Sequence, residues 1–430
     1  MPDGNLLGVL EGECPAALGA AGATGATGAT GAQSERDEIV RALDNPIGSR
    51  RLDELAGAGG GSGSGRGRGG AAGRKAVIMC SDITRPCPSY KLLPVLLEDL
   101  NAAGVRDADI TIMFGMGIHR RHTAEERERL AGSDIYKRVR CGDSAEGEFK
   151  HVGTSSRGTP YYVNALAVDC DLLICTGNIE FHYFAGYSGG AKAILPGAAN
   201  KETIDRNHSM QTMPGCGAGL LEGNPVRADI DEIANFVKID FLLNVVIDEN
   251  KQILKAFAGD CIAAHREGCR YLDSIYKRPI AALADTVIAC SGGFPKDINM
   301  YQAQKALDNA RFAVKPGGNI IWVGRCAEGY GEDTFEKWVN ESTSPGSLVE
   351  RIKKEFVLGG HKAAAIGSVL CGYNVEMVTD MDRAKVERLY IKHHGRDGLQ
   401  ALIDKKIAAS GGKETFYIMP QAGSVLPQKS

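Results

Sequence analysis

The chain has 430 residues, of which 43% are hydrophobic and 24% are charged, and its formal net charge is -3. Such a length is enough for two ordinary domain cores of about 100–200 residues each. The small net charge argues against a nucleic-acid-binding or membrane-surface protein. No apolar stretch approaches the roughly 20 residues of a membrane span, and the N-terminus lacks the layout of a signal peptide.

The 12 cysteines are scattered along the chain without a CxxC pair. Cys80 and Cys290 end apolar runs that resemble strands, which is typical of buried, reduced thiols. The sequence therefore predicts a cytoplasmic protein without a disulfide framework.

Two glycine-rich segments, at about residues 14–33 and 57–74, are predicted to be disordered insertions. The first has glycine at every third position from Gly19 to Gly31, but it lacks the proline and the length of collagen. The second is rich in Gly, Ser and Arg, a composition with little to bury. Its Gly65-x-Gly67-x-x-Gly70 string matches the dinucleotide fingerprint by chance, because it precedes a strand instead of following one.

The remaining chain alternates strand and helix signals. Strands are predicted at 76–80, 109–114, 171–175, 241–247, 253–257, 285–290 and 319–323, and helices around 92–103, 199–209, 261–276 and 300–313. A further helix is predicted after Thr123, which forms a capping box with Glu126. The alternation predicts two α/β domains with mainly parallel sheets, residues 1–275 and 276–430, with the active site in the cleft between them.

Polar loops follow four of the predicted strands, and ligands of open parallel sheets bind beyond the carboxyl ends of the strands. The loops are Ser81–Pro86 (SDITRP), Gly115–Arg120 (GMGIHR), Gly177–His182 (GNIEFH) and Ser291–Asp297 (SGGFPKD). Each loop contains glycine or proline and at least one ionisable group, so a converging site is expected.

The individual residues of these loops also have simpler interpretations. Asp82 and Arg85 could form a local turn pair, with Asp82 capping the next helix. His119 lies in a run with Arg120, Arg121 and His122 that could be a solvated basic loop. His182 has aromatic neighbours, which suit either a satisfied core histidine or a flat ring ligand.

The segment Gly186–Lys192 (GYSGGAK) combines glycines, a hydroxyl and a lysine, which suit phosphate because exposed backbone N–H groups bind anions. It also matches the G-x-S-x-G nucleophile elbow, which requires the serine at a strand-to-helix turn. The preceding strand ends about a dozen residues earlier, which disfavours the elbow. A serine hydrolase using Ser188 and a non-catalytic cofactor-binding protein stay as the alternatives to the function inferred below.

Three further residues lie on predicted helices. His208 follows Asn207 on the helix around 199–209, and a lone helical histidine is more often structural than a metal ligand. Gln302 and Lys305 are three residues apart and so share one helix face. Near a partly positive helix N-terminus that face suits a carboxylate, although it could be an ordinary exposed surface.

Taken together, these motifs resemble the lactate racemase family, which uses a nickel-pincer nucleotide. The resemblance is carried by SDITRP, GMGIH, FHYFAGYSGGAKAILPG, Asn207-His208, and GGFPKD followed by YQAQKAL. Shorter matches at 5–10 and 45–48 extend it over most of the chain outside the glycine-rich segments. It implies an isomerase that racemises or epimerises a 2-hydroxy acid.

The resemblance also implies how the cofactor is held. Lys192 would carry the Ni(II)-pyridinium-3,5-bisthiocarboxylate mononucleotide through a thioamide, and His208 would be the single protein ligand of the nickel. The cofactor contacts would also include Asp82, Ile83, Thr84 and Arg85. Ser188 and Gly189 are assigned to the nucleotide phosphate on physical grounds.

For the reaction, the resemblance assigns acid/base roles to His119 and His182 and substrate binding to Arg85, Gln302 and Lys305. One histidine takes the hydroxyl proton while hydride leaves the α-carbon for the cofactor, and the hydride then returns to either face of the keto acid. The implied partners are the small 2-hydroxy acid and the enzymes that build the cofactor, with no nucleic acid and no membrane.

Overall fold

The computed structural model describes residues 3–12, 29–57, 73–117, 119–248, 250–294, 296–357 and 359–429. The predicted insertions therefore lie largely outside the described residues. At their margins the structure corrects the prediction, because one helix begins at Ala29 and another ends at Gly57. The first of these helices continues into Ile39 and Leu43, which are buried, so core packing stabilises it.

The strands, in chain order, are β1 (Leu6–Val9), β2 (Ala76–Ser81), β3 (Ile110–Gly115), β4 (Arg140–Asp143), β5 (Phe149–Thr154), β6 (Pro160–Asn164), β7 (Leu172–Asn178), β8 (Phe181–His182), β9 (Gly186–Tyr187), β10 (Phe241–Ile247), β11 (Ile253–Gly259), β12 (Lys277–Ile280), β13 (Ala284–Cys290), β14 (Val314–Val323), β15 (Asn374–Val378), β16 (Lys392–His394), β17 (Phe416–Met419) and β18 (Leu426–Lys429).

The α-helices, in chain order, are α1 (Ala29–Asp44), α2 (Leu52–Gly57), α3 (Ser89–Ala102), α4 (Ala124–Ala131), α5 (Ser133–Arg138), α6 (Ala165–Asp169), α7 (Lys201–Ser209), α8 (Pro225–Glu232), α9 (Cys261–Tyr276), α10 (Met300–Ala310), α11 (Asp333–Glu341), α12 (Pro345–Lys354), α13 (Gly360–Gly372), α14 (Arg383–Arg388) and α15 (Leu399–Ala409).

The chain divides into two compact units, each with a six-stranded sheet. One unit spans Cys14–Asp273, and the other joins Met1–Glu13 to Ser274–Ser430. The first residues therefore differ from the prediction, which placed all of residues 1–275 in one domain. The reason is that β1 pairs in parallel with β17 and so extends the sheet of the C-terminal unit.

In the unit Cys14–Asp273 the strand order is β11-β10-β7-β2-β3-β4, and only β11 runs antiparallel to its neighbour. From β2 the chain moves outward to β3 and β4 on one side, and later to β7 and β10 on the other. The sheet thus has its topological switch point at β2 and β7, where a ligand is expected. Ile78 and Met79 pack into cores on opposite faces, which explains the unbroken apolar run of β2.

In the other unit the strand order is β1-β17-β13-β14-β15-β16, and all neighbours are parallel. Here β13 lies between β14 and β17, so its following loop, 291–297, leaves from the switch point of this sheet. Ala289 and Ile288 pack on opposite faces of the sheet, in separate apolar cores. Both units therefore contain mainly parallel sheets with apolar cores on two faces, which confirms the predicted α/β fold class.

The predicted elements are observed with shifts of a few residues at their ends. Thr123 accepts a hydrogen bond from the Glu126 amide and completes the capping box, as predicted. The strand predicted from residue 319 begins instead at Val314. The prediction started too late because the Lys-Pro-Gly-Gly stretch after Val314 has the composition of a turn. A register shift opposite residues 284–286 accommodates that stretch.

Among the described helices, none has the length and apolar character that crossing a membrane requires. All the cysteines in the described part of the chain are free thiols, and only Cys371 is exposed.

Candidate active site

The loop after β2 carries the first predicted site residues. Asp82 is buried at the start of a turn in which the amide of Arg85 donates to its carbonyl at 3.1 Å. The Asp82 carboxylate accepts the Thr84 hydroxyl at 2.8 Å and lies 4.0 Å from Nε of Arg85. Asp82 does not cap α3, which begins after Pro88 without a side-chain cap, so the capping alternative is wrong.

The Asp82 carboxylate also accepts a hydrogen bond from Nδ1 of His119, in the loop after β3. Burial raises the pKa of Asp82, but the hydrogen bond and charge of His119, together with Arg85, lower that pKa below its usual value. An ionised carboxylate can only accept, so Nδ1 carries the proton and Nε2 keeps a lone pair in the neutral ring. Asp82 thus fixes the orientation of the His119 ring.

The glycines before His119 let its loop pack closely on the segment 196–197. A Cβ at Gly115 would lie 3.0 Å from Cα of Gly197, and Gly117 has a φ of +55° beside Pro196. The amide of Gly117 also donates to the carbonyl of Gly197 at 3.4 Å. Only glycine fits such an approach in this conformation.

His182 lies on β8 with aromatic neighbours, as its sequence context predicts. Its Nδ1 accepts the amide of Ala185 at 3.3 Å, so the neutral ring carries its proton on Nε2. Burial, followed by the positive charges of Lys192 and Arg85, lowers the pKa of His182 well below its usual value. The lowered pKa favours the neutral ring, in which Nε2 is a hydrogen-bond donor.

Phe184 is the common neighbour of three predicted site residues. Its ring centroid lies 4.5 Å from that of His182 and 5.0 Å from that of His208. The ammonium of Lys192 lies 5.8 Å from the same centroid. The structure thus brings together side chains from β8, from the 3₁₀ turn Gly190–Ala193 and from α7.

Lys192 has an unusual electrostatic environment for a lysine. Burial, and then the positive charges of Arg227 and Arg85, lower the pKa of its amine well below the usual value. A larger fraction of the amine is therefore uncharged, and an uncharged amine can act as a nucleophile.

His208 is buried in the last turn of α7, a helix that begins where Asn200 accepts the amide of Thr203 at 2.9 Å. Nδ1 of His208 lies 3.0 Å from the side-chain oxygen of Asn207. No group of three or more His, Cys, Asp or Glu side chains that could hold a metal occurs among the described residues. Within the described residues, His208 is therefore not part of a cluster of three or more such side chains.

Ser188 and Gly189, which are predicted to bind the nucleotide phosphate, lie in a loop that forms hydrogen bonds within the protein. The Ser188 hydroxyl donates to the carbonyl of Asn178 at 2.7 Å and accepts the amide of Glu180 at 2.9 Å. The amide of Gly190 donates to Asn244 at 2.8 Å, and a Cβ at Gly189 would lie 2.5 Å from the same Asn244 oxygen. These groups stabilise the loop itself, so their hydrogen bonds give no support to the phosphate role.

Arg227 is a residue of this region that the sequence analysis missed. It is 1% exposed, its Nε donates to the carbonyl of Ala185 at 3.0 Å, and its guanidinium also binds the carbonyl of Tyr187. Asn224 and Pro225 indicate the start of a helix, but no local pattern shows that the arginine on it is buried. Arg227 therefore fixes the loop between His182 and Lys192.

Gln302 and Lys305 lie in the other unit, on α10, whereas the remaining predicted site residues belong to Cys14–Asp273. Both side chains are exposed on one face of the helix, as the spacing predicts. The cap is Asn299, whose side chain accepts the amide of Gln302 at 3.0 Å. Their role as substrate ligands stays a prediction.

Both units of the chain match a family of known proteins. Residues 21–219 match the Lactate racemase N-terminal domain, and residues 280–426 match the Lactate racemase C-terminal domain. A lactate racemase of Thermoanaerobacterium thermosaccharolyticum is 37% identical over 91% of this chain and 90% of its own. A lactate racemase of Lactiplantibacillus plantarum is 38% identical over 74% of this chain and 72% of its own.

Two solved structures are similar as well. The lactate racemase apoprotein of T. thermosaccharolyticum has a TM-score of 0.85 at 31% identity, covering 100% of this chain and 96% of that one. A protein of Thermotoga maritima has a TM-score of 0.62 at 18% identity, covering 93% and 98%, and shows likeness of fold alone. The chain therefore belongs to the lactate racemase family.

Proposed function

We propose that this protein inverts the configuration at the α-carbon of a 2-hydroxy acid such as lactate. The observation that carries the proposal is the pair Asp82–His119 in one unit with the cluster of His182, Lys192 and His208 around Phe184. The names of the relatives, all lactate racemases where a curated name is given, support the same reaction.

The residues present fit a nickel-pincer nucleotide. Lys192 has the lowered pKa that a covalently attached amine needs, and His208 has a lone pair on Nε2 for nickel. One imidazole cannot hold nickel selectively by itself, so we assign the remaining donors to the cofactor. When bound, the cofactor supplies the acceptor for the hydride of the α-carbon.

The protein's own residues then move the proton and hold the substrate. Nε2 of His119 takes the proton of the substrate hydroxyl, and the Asp82 carboxylate stabilises the imidazolium that forms. The Nε2–H of neutral His182 donates a hydrogen bond to the substrate oxygen, and we assign His182 the acid/base role for the opposite enantiomer through the tautomer that carries its proton on Nδ1. Arg85 stabilises the substrate carboxylate, a role we also assign to Gln302 and Lys305.

The hydrogen bonds of Ser188 argue against the serine hydrolase. A nucleophilic serine passes its proton to a neighbouring base, whereas this hydroxyl donates to a main-chain carbonyl. A non-catalytic carrier would not need the Asp82–His119 pair.

The free thiols support the prediction of a cytoplasmic protein, and separate enzymes of the same compartment would build the cofactor.

The test is an assay of single enantiomers of a panel of 2-hydroxy acids, followed by chiral chromatography. Protein from a host that builds the cofactor should convert at least one pair in both directions. Protein from a host without the cofactor pathway and the His119→Asn variant serve as controls and should both be inactive. Absence of inversion for every acid with cofactor-loaded protein would refute the proposal.

A further inference from the structure

His122 belongs to the basic run that follows His119, yet the structure buries it. The His122 side chain has 0% exposure, as does that of its partner Asp143 at the end of β4, whereas the nearby Arg120 is 66% exposed. A fully buried imidazole beside a carboxylate is not part of a solvated loop, and the function proposed above does not use it.

Both ring nitrogens of His122 form hydrogen bonds with the protein. Nδ1 lies 2.7 Å from the carboxylate of Asp143, and Nε2 accepts the backbone amide of Ile83 at 3.0 Å. An amide N–H can only donate, so Nε2 has the lone pair and Nδ1 carries the proton. The amide of His122 and the guanidinium of Arg127 also donate to Asp143, at 2.9 and 3.0 Å, which fixes the carboxylate.

The Ile83 amide is part of the peptide unit that follows Asp82. A hydrogen bond to this amide fixes the plane of the Asp82–Ile83 peptide, and with it the direction in which the Asp82 side chain leaves the backbone. That side chain holds Nδ1 of His119. His122 therefore acts on His119 through Ile83 and Asp82.

A second set of hydrogen bonds connects the end of β4 to the loop that carries His119. Ser144 follows Asp143, and its hydroxyl accepts the amide of Met116 at 2.9 Å. The same hydroxyl donates to the carbonyl of Gly197 at 2.6 Å. The end of β4 thus anchors the loops after β2 and β3 together.

We propose that His122 is a positioning residue, which sets the geometry of the Asp82–His119 pair through the amide of Ile83. The inference rests on the proposed function, because it takes His119 as an acid/base. The test therefore needs a measurement that would not change if His122 were only a buried packing residue.

Two amide variants separate the two bonds of the ring. The oxygen of His122→Gln reaches the position of Nε2 and can accept the Ile83 amide. The shorter His122→Asn reaches only the position of Nδ1 and keeps the bond to Asp143. A third variant, Arg127→Gln, removes the hydrogen bond of the guanidinium to Asp143 and leaves the hydrogen bond of the Ile83 amide in place.

The first measurement uses protein without cofactor, labelled with ¹⁵N at its nine histidines. His119→Asn assigns the Nδ1 proton that is bound to Asp82. We expect His122→Asn to shift or broaden this signal and to speed hydrogen exchange at Ile83. His122→Gln and Arg127→Gln should leave both near wild type.

The second measurement uses cofactor-loaded enzyme. We expect His122→Asn to lower kcat at least about tenfold with KM changed less than about twofold, because a small misplacement of a base costs rate more than binding. His122→Gln should retain kcat within about threefold. A wild-type signal and kcat in His122→Asn, or equal losses in Arg127→Gln, would overturn the proposal.

The outcomes also separate this inference from the proposed function. Full activity of His119→Asn would defeat the acid/base assignment, whatever His122 does. An inactive His119→Asn with a wild-type His122→Asn would defeat the positioning role alone. Should His122→Asn fail to fold, His122→Gln decides: its Ile83 amide must stay as protected as in wild type, and faster exchange there counts against the proposal.

Discussion

The side-chain oxygen of Asn207 lies 3.0 Å from Nδ1 of His208, its neighbour on α7. The amide nitrogen of Asn207 donates to Asp229 at 2.8 Å and to the carbonyl of Val226 at 3.2 Å, which fixes which end of the amide faces the histidine. Nδ1 of His208 is therefore the donor, and Nε2 keeps its lone pair. Such an outer partner sets the tautomer and orientation of a metal-binding histidine.

The Asn207→Ala variant should bind nickel more weakly. Loss of the outer hydrogen bond is expected to lower metal affinity about 10–100-fold, because the ring is no longer held in one tautomer. Nickel analysis of cofactor-loaded protein after dialysis against a chelator measures the effect. His208→Ala should retain less nickel than Asn207→Ala with the fold intact, whereas Ser209→Ala, exposed on the same helix, should keep it. Full nickel occupancy in His208→Ala would refute the ligand assignment.

Arg227→Met should destabilise the unit Cys14–Asp273. The change leaves the carbonyls of Ala185 and Tyr187 without their buried donor and leaves Asp231 with Arg266 alone, which is expected to cost about 3 kcal/mol. Arg266→Met is the matched control, because Arg266 binds the same Asp231 from a position 26% exposed and should cost roughly 1 kcal/mol. Denaturant unfolding followed by circular dichroism compares the two, and equal losses would contradict the role of Arg227.

Much of the fold could be predicted because its signals are local. In β2, alternate side chains such as Ile78 and Met79 meet apolar layers on both faces, so the run is apolar throughout. The loops with Asp82 and His119 could be located because parallel strands end at one edge of the sheet. Spacing alone could thus indicate a site, although not the contacts within it.

The remaining features depend on contacts between residues far apart in the chain. The pairing of β1 with β17 joins the two ends of the sequence, and the contact of Phe184 with His208 depends on how α7 packs. Ser188 matches a nucleophile motif, but only the fold shows that its hydroxyl bonds to the backbone. The burial of His122 within a run of basic residues has no local signature either.

Arg85→Gln should raise the pKa values of both His182 and Lys192. The positive charge of Arg85 disfavours the protonated form of each group, so its removal makes protonation easier. The apparent pKa of His182 can be followed by NMR titration of ¹⁵N-histidine-labelled protein without cofactor. Arg120→Gln, at an exposed arginine paired with Glu126, is the control and should leave His182 unchanged. An unchanged or lower pKa of His182 in Arg85→Gln would contradict the prediction.

Lys192 should carry the cofactor covalently when the protein is made in a host that builds it. The lowered pKa of the amine favours its nucleophilic form, which a covalent bond requires. Intact-mass measurement should show an adduct, and peptide mapping should place it on the peptide containing Lys192. Lys192→Arg should carry none, because a guanidinium stays protonated. Fully active protein with an unmodified Lys192 would reduce this residue to a non-covalent contact.

Inversion in deuterated water should leave the α-hydrogen of the substrate in place. Direct removal of that hydrogen as a proton would be difficult, because the C–H is weakly acidic and the adjacent carboxylate is negative. A histidine such as His119, held by Asp82, is matched to a hydroxyl proton instead, provided that a hydride acceptor is present.

The measurement is mass spectrometry or NMR of the product after one half-life of inversion in deuterated water. His119→Asn is the control, since exchange that persists in this inactive variant would be non-enzymatic. Because hydride transfer never releases the α-hydrogen to solvent, the product should contain no deuterium at that carbon. Deuterium incorporation at a rate equal to inversion would show that a histidine removes the α-proton, and the hydride mechanism would then be wrong.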